Sequence, residues 1–210
     1  MLFSNPDPAL LVGIVVALVA GITFHEFSHA LVADQLGDHM PRALRRVSLN
    51  PLRHLDPLGS IFLLIAGFGW GRPVPVNGYA LRPGRIGMTM VAAAGPLANF
   101  ALAALVAVAF RMLQLGGLLD AEFPRLVVAS TVFFNVALGL FNLIPIPPLD
   151  GYNVVLPLLP PRQAMTVQRY APYGYIALLL LVVLSYGAGS GPLDWLFELA
   201  GGISRFLIGA

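Results

Sequence analysis

A polytopic all-α membrane bundle is the fold class this sequence predicts, on three observations. Of its 210 residues 58% are hydrophobic and 10% charged, where a soluble domain carries about 25% charged residues, and the mean hydropathy is +0.82. The apolar residues gather into long runs at 8–24, 86–115, 126–146 and 173–186. The 22 Gly and 18 Pro suit membrane helices, which tolerate both better than soluble helices do. Together these exclude a water-soluble globule and predict one integral membrane domain over residues 1–210. With no cysteine there is no disulfide framework and no thiol nucleophile, so any metal must be held by His, Asp or Glu. All twelve basic residues are Arg. They lie between apolar runs and form no dense, aromatic-laced tract, which argues against nucleic-acid binding.

The first run continues with little polarity through 30–33. It lacks a basic stretch before it and a small-residue cleavage site, so it reads as a retained span. Residues 58–68 are apolar but too few to cross about 30 Å of hydrocarbon as a helix, which predicts a re-entrant or interfacial piece. In 67–79 the glycines, Pro73, Pro75 and the Asn77-Gly78 pair favour extended strand and turn, a short β-type loop kept near the membrane by Trp70 and Tyr79. The runs 86–115, 126–146 and 173–186 are the remaining spans. The segment 193–208 is short and holds Glu198 and Arg205, which makes it an interfacial helix or a weak fifth span.

Arginine placement sets the orientation. With the amino terminus outside, Arg42, Arg45, Arg46, Arg53, Arg72, Arg82 and Arg85 fall in the first inside loop and Arg162 and Arg169 in the second. The positive-inside rule therefore predicts an external amino terminus and a cytoplasmic loop 34–85.

Within the first span stands His25-Glu26-Phe27-Ser28-His29. Residues four apart on an α-helix project from one face about 6 Å apart, so two imidazoles can grip one metal ion. Glu26 leaves the helix about 100° round from His25, close enough to serve a water at the metal as general base without ligating. Each ionisable residue in a span costs about 2.5–3.5 kcal/mol on the insertion scale for charged types, so three together imply a partner or a task. The plain alternative is a polar cluster that links helices or relays protons.

Two imidazoles leave a catalytic zinc site one protein ligand short. Asp150 closes the third run in Asn142-Leu-Ile-Pro-Ile-Pro-Pro-Leu-Asp-Gly151, where Pro145, Pro147 and Pro148 forbid regular helix. Irregular backbone at membrane depth is tolerated beside a protein interior or a water-filled cavity, the right setting for a third ligand. An Asp-Gly turn at a membrane exit is the alternative. If the first span ends near Ala33, the middle of the His25–His29 motif lies six residues earlier, roughly 9 Å inside that end.

These motifs, with Gly95-Pro-Leu-Ala-Asn99 between them, resemble the site-2 protease family of intramembrane zinc metalloproteases, in the family's order and over a catalytic core of about residues 10–155. The resemblance implies that His25, His29 and Asp150 bind one zinc ion and that Glu26 activates the water. It implies cleavage of membrane-spanning segments in substrates such as anti-sigma factors or membrane-tethered regulators, often after a first cut outside. The chain resembles the compact prokaryotic subgroup without a PDZ domain, which implies a cell-membrane location; the external amino terminus and the motif's place near the end of the first span put the active site near the cytoplasmic side.

The resemblance makes Asn99 and Asn142 candidates for holding a substrate backbone or polarising its carbonyl, whereas physics alone also allows each to bridge helices. His54, in Asn50-Pro-Leu-Arg-His-Leu-Asp-Pro-Leu-Gly59, could approach the metal as an accessory group or simply cap loop carbonyls. In 72–77, Pro73 and Pro75 fall on one edge and leave it without donors, while the edge of Val74 and Val76 keeps both donors and acceptors. That edge could take an unwound substrate as an added strand, or merely blunt an exposed edge. The function these readings favour is hydrolysis of peptide bonds within the membrane. The alternative is a transporter or metal-permeation protein whose His, Glu and Asp form an ion path.

Overall fold

A computed structural model describes residues 8–59, 61, 70–116, 122–187 and 191–209. The opening helix α1 (Pro8–Gln35) is apolar on every face until its last third, and its 28 residues exceed the length a bilayer core requires. Gly37, in the left-handed region at φ 106°, reverses the chain. A short helix α2 (Met40–Ala43) and a 3₁₀ turn at Pro51–Arg53 follow. Helix α3 (Arg85–Leu115) returns through the bundle and α4 (Glu122–Asn142) crosses again. Next come α5 (Asp150–Val155), a 3₁₀ turn, α6 (Pro161–Tyr170), another 3₁₀ turn, α7 (Gly174–Gly187) and α8 (Asp194–Ile208).

Among the described residues four helical stretches are long and apolar enough to cross a membrane: Leu10–Gln35, Arg85–Leu115, Glu122–Asn142 and Pro161–Ser185. The fourth starts at Pro161 and not at 173, because α6, its 3₁₀ turn and α7 follow one another without a break. The third ends at Asn142, short of 146. Pro145 has no N–H to continue the ladder, and the residue before a proline is pushed out of helical geometry.

Helices α1, α3 and α4 pack against one another as the central layer. Ala103, Ala107, Val132, Val136 and Ala137 form its buried core with Ala200 of α8, and small side chains there let backbones approach closely. Helix α8 lies against α3 and α4 and buries Leu196, Ala200 and Ser204. At 15 residues it is about 22 Å long, too short to cross on its own. It is therefore a packed member of the bundle and falls short of a fifth span. The Arg111 guanidinium donates to the Phe206 carbonyl near its end, satisfying a helix-terminal acceptor. By contrast α7 leaves Ile176, Leu179, Leu180, Val183 and Leu184 exposed, as a lipid-facing helix does.

Of the re-entrant piece expected at 58–68, residues 60 and 62–68 lie outside the described residues, as do 67–69 of the expected loop. The part of that loop from 70 onward departs from the expected strand. Among the described residues the only bridge there is an isolated antiparallel pair, Leu55 with Gly71. The Arg72 amide donates to the His54 carbonyl at this bridge, but the next donor on the same edge, the Val74 amide, turns to Glu26, so the ladder stops there. Asn77 closes the segment with a side-chain turn, its Oδ1 accepting from the Tyr79 amide at 3.1 Å.

Candidate metal centre

His25 and His29 stand one helical turn apart on the buried face of α1. Opposite them α3 presents Val91, Gly95 and Asn99, themselves spaced by four, so one stripe of α3 faces one stripe of α1. Asn99 is fully buried, and its Oδ1 lies 2.7 Å from His25 Nδ1. The Val91 carbonyl lies 2.7 Å from His29 Nδ1. Asn99 Nδ2 donates to the Gly21 carbonyl at 3.0 Å and to Asn135 Oδ1 at 3.1 Å, which fixes the amide so that its oxygen faces His25. Both partners of the imidazole Nδ1 atoms are thus acceptors, and both Nδ1 atoms carry hydrogen.

The consequence falls on the other ring nitrogens. His25 Nε2 and His29 Nε2 are 3.0 Å apart, and Asp150 Oδ2 lies 2.9 Å from the first and 3.3 Å from the second. Neutral rings whose Nδ1 is protonated offer only lone pairs at Nε2, so three acceptors converge with no hydrogen between them. Asp150 Oδ2 is accordingly buried without a hydrogen-bond donor. A cation between the three resolves this. Zinc bound at about 2.0–2.1 Å in tetrahedral geometry sets neighbouring ligand atoms about 3.3 Å apart, close to the observed triangle. His25, His29 and Asp150 form one group able to hold a metal ion, and the residues fit zinc.

Asp150 reaches the centre because the chain after α4 is irregular and α5 starts at that residue. Gly151 is required there: a Cβ would run into the backbone of Leu143 and come within 2.6 Å of the Ile144 carbonyl oxygen. Gly95 has the same role on α3, since a Cβ would sit 2.7 Å from His25 Cε1 and 2.6 Å from His29 Cε1. The helix approaches the two rings only because it carries hydrogen at that point.

Glu26 is half-buried beside the pair, and its Oε2 accepts from the Val74 amide at 3.1 Å. The donor expected to face outward on the Val74 edge is therefore directed at Glu26. The Val76 side chain packs with Val32, Leu36 and Met88 around Ala33, Leu81 and Val91. Asn142, at the end of α4, donates Nδ2 to the Leu138 carbonyl of its own helix at 3.0 Å. His54 is fully buried in its loop with Nε2 2.6 Å from the Ser48 carbonyl and is not among the metal-holding group. Burial pushes the His54 imidazole pKa below its ordinary value, and the charges of Arg46 and Arg53 push the same way against the Ser48 bond.

Two residues at the site carry no sequence signal of their own. Asn135 is fully buried on α4 and orders Asn99, while its Nδ2 donates to the Thr131 carbonyl at 2.9 Å. Its only hint is an amide inside an apolar run. Arg46 is buried next to Glu26, one arginine among seven in the same loop.

Comparison with known proteins agrees with this geometry. Residues 111–184 match the model of peptidase family M50. Over 184 residues the chain is 38% identical to YwhC of Bacillus subtilis (strain 168), a match covering 83% of this chain and 82% of the relative. It is 34% identical over 212 residues to Rip2 of Mycobacterium tuberculosis (strain ATCC 25618 / H37Rv), covering 93% and 78%. Both relatives carry names that describe them as zinc metalloproteases. No solved structure gives a significant match. With four helices fit to span a membrane and this identity extending over most of both chains, the protein belongs to peptidase family M50, the site-2 protease family of membrane zinc metalloproteases.

Proposed function

We propose that this multi-pass membrane protein hydrolyses peptide bonds within membrane-spanning segments of other proteins, with His25, His29 and Asp150 holding zinc and Glu26 as general base. The observation that carries the reading is the meeting of three acceptors, two imidazole nitrogens and a carboxylate oxygen, within 2.9–3.3 Å of one another. Bound zinc supplies Lewis-acid chemistry, lowering the pKa of a water towards about 7 and polarising a carbonyl. His25 and His29 keep their Nε2 lone pairs aimed at one point because each Nδ1–H is held by Asn99 or Val91. Glu26 takes a proton from the attacking water at a carboxylate oxygen and delivers it to the leaving amine nitrogen as the C–N bond breaks.

A helical substrate hides its peptide bonds and has to be unwound before attack. The segment 72–77 is the element we assign to capture the extended form, with the Val74 and Val76 edge offering backbone groups to it. The segment lies against Glu26, which holds the Val74 amide, so the Val74 carbonyl and Val76 are the groups we assign to the substrate. Asn142 is the amide we place on the substrate side. For Asn99, complete burial and its bond to His25 favour orienting the ligand over touching substrate. His54 serves its own loop in this reading.

The centre of the His25–His29 motif lies eight residues before the end of α1 at Gln35, about 12 Å along the helix. With the amino terminus outside, as the arginines favour, the site lies on the cytoplasmic side of a prokaryotic cell membrane. Anti-sigma factors and membrane-tethered regulators are the substrates proposed. The test is metal content: purified protein holds about one zinc per chain, His25→Ala, His29→Ala and Asp150→Ala lose it, and Glu26→Gln keeps it. Full zinc in the three ligand variants would refute the assignment.

A further inference from the structure

We propose that Arg46 is a positioning residue for hydrolysis, whose guanidinium sets the distance between the base Glu26 and the segment 72–77 assigned to the substrate backbone. This rests on the function proposed above. Arg46 is 6% exposed, whereas Arg42, Arg45, Arg72, Arg82 and Arg85 of the same loop are exposed. A buried guanidinium persists where acceptors meet its donors and a counter-charge meets its charge. Here one terminal nitrogen does both, donating to the Arg72 carbonyl and lying 3.7 Å from Glu26 Oε2.

The contacts form a closed ring. Arg46 holds the Arg72 carbonyl, Pro73 separates that carbonyl from the Val74 amide with a fixed φ, the Val74 amide bonds to Glu26, and Glu26 faces Arg46 again. Both ends of the ring are anchored. The Arg72 amide donates to the His54 carbonyl at 2.7 Å, and the Arg46 amide donates to the Pro41 carbonyl at 2.8 Å, just after Arg45 at φ 58°. Two carbonyl and amide groups one proline apart act as a ruler laid beside the base. Arg46 and Glu26 occupy the Arg72 carbonyl and the Val74 amide, so a substrate chain pairs with the Val74 carbonyl and Val76 beyond them, and the ring fixes how that pairing registers with Glu26 and the metal ligands. Both contacts fall on one terminal nitrogen while Arg46 Nε stays buried without a partner, so what a lysine fails to reproduce is the reach and rigid plane that place that nitrogen.

The experiment uses the full chain in detergent or vesicles, as wild type, Arg46→Gln and Arg46→Lys, with a single-span polypeptide carrying a reporter at each end. It reads zinc content, kcat and KM, and the cleaved bond by mass spectrometry of the products. We expect all three proteins to hold zinc. Arg46→Gln loses about a hundredfold in kcat, as a misplacement of about 1 Å does, and its cuts spread over neighbouring bonds. Arg46→Lys recovers part of the rate but not the single cut position. Arg46→Gln cutting the wild-type bond alone with kcat within about threefold of wild type would overturn the proposal. So would loss of zinc from both variants, which would make Arg46 a prop of the metal fold. A wild type inactive on spans, or an active Glu26→Gln, would instead remove the proteolytic reading itself.

Discussion

Replacing Gly95 with alanine places a methyl group between α3 and the two histidines. Its carbon would stand 2.6 Å from His29 Cε1 and 2.7 Å from His25 Cε1, where carbon atoms prefer about 3.5–4.0 Å. Roughly 1 Å of movement is needed to reach that separation. The rings cannot swing away without leaving Asn99 Oδ1 and the Val91 carbonyl, each bonded at 2.7 Å. Nor can α3 retreat freely, because Val91 and Asn99 flank Gly95 by one turn on either side and would withdraw with it. Overpacking of this kind costs about 1–3 kcal/mol, and disturbing the groups that orient metal ligands weakens affinity about 10–100-fold. The assay is zinc transfer to a competing chelator, with thermal unfolding measured alongside. Gly78→Ala is the control, since its Cβ would meet only the flexible Met88 methyl, at 3.4 Å. Gly95→Ala with the melting temperature and zinc affinity of wild type would refute the reasoning.

Asn99→Leu removes the acceptor of His25 Nδ1–H and leaves Asn135 Oδ1 without its Asn99 donor, while the Gly21 carbonyl keeps only its helical bond; a melt should show about 1–3 kcal/mol lost for a buried group left unpaired, and a zinc titration about 10–100-fold weaker binding. For His54 the folded pKa is depressed, so the folded state favours the neutral ring. Its contribution to stability is whole above the unfolded value of about 6.5 and is lost as pH falls through the folded pKa. Protonation would add a charged donor at Nδ1, which is buried without a partner. Melting temperature followed against pH should therefore drop on the acid side in wild type and flatten in His54→Gln. Val76→Pro removes one backbone donor from the proposed substrate edge and should slow cleavage about tenfold, near the worth of one hydrogen bond, with zinc content unchanged; unaltered cleavage would leave that edge a structural part only.

Local spacing accounts for what the sequence makes legible. His25 and His29 are four apart on one helix, so their convergence follows from helix geometry alone. The apolar runs mark the spans because their length is set by the bilayer. The end of α4 is blurred because hydropathy continues to Ile146 while hydrogen bonding stops at the prolines. Asp150 is readable as an acid in broken backbone, but its approach to the histidines depends on the fold of 143–149 and on the space at Gly151. Arg46 and Asn135 are not legible, since their partners include the Arg72 and Thr131 carbonyls and any residue type offers a carbonyl. The same holds for Val74: the prolines declare which edge keeps donors, whereas the choice of Glu26 as acceptor is tertiary.

Glu26 is proposed to act as general base at a metal held by the histidines and Asp150. The most direct test of this role is cleavage of a single-span substrate in reconstituted vesicles by wild type and by Glu26→Gln, each carrying measured zinc. The wild type is expected to cut inside the span, and Glu26→Gln with equal zinc is expected not to cut. Cleavage by Glu26→Gln at the wild-type rate would contradict that role.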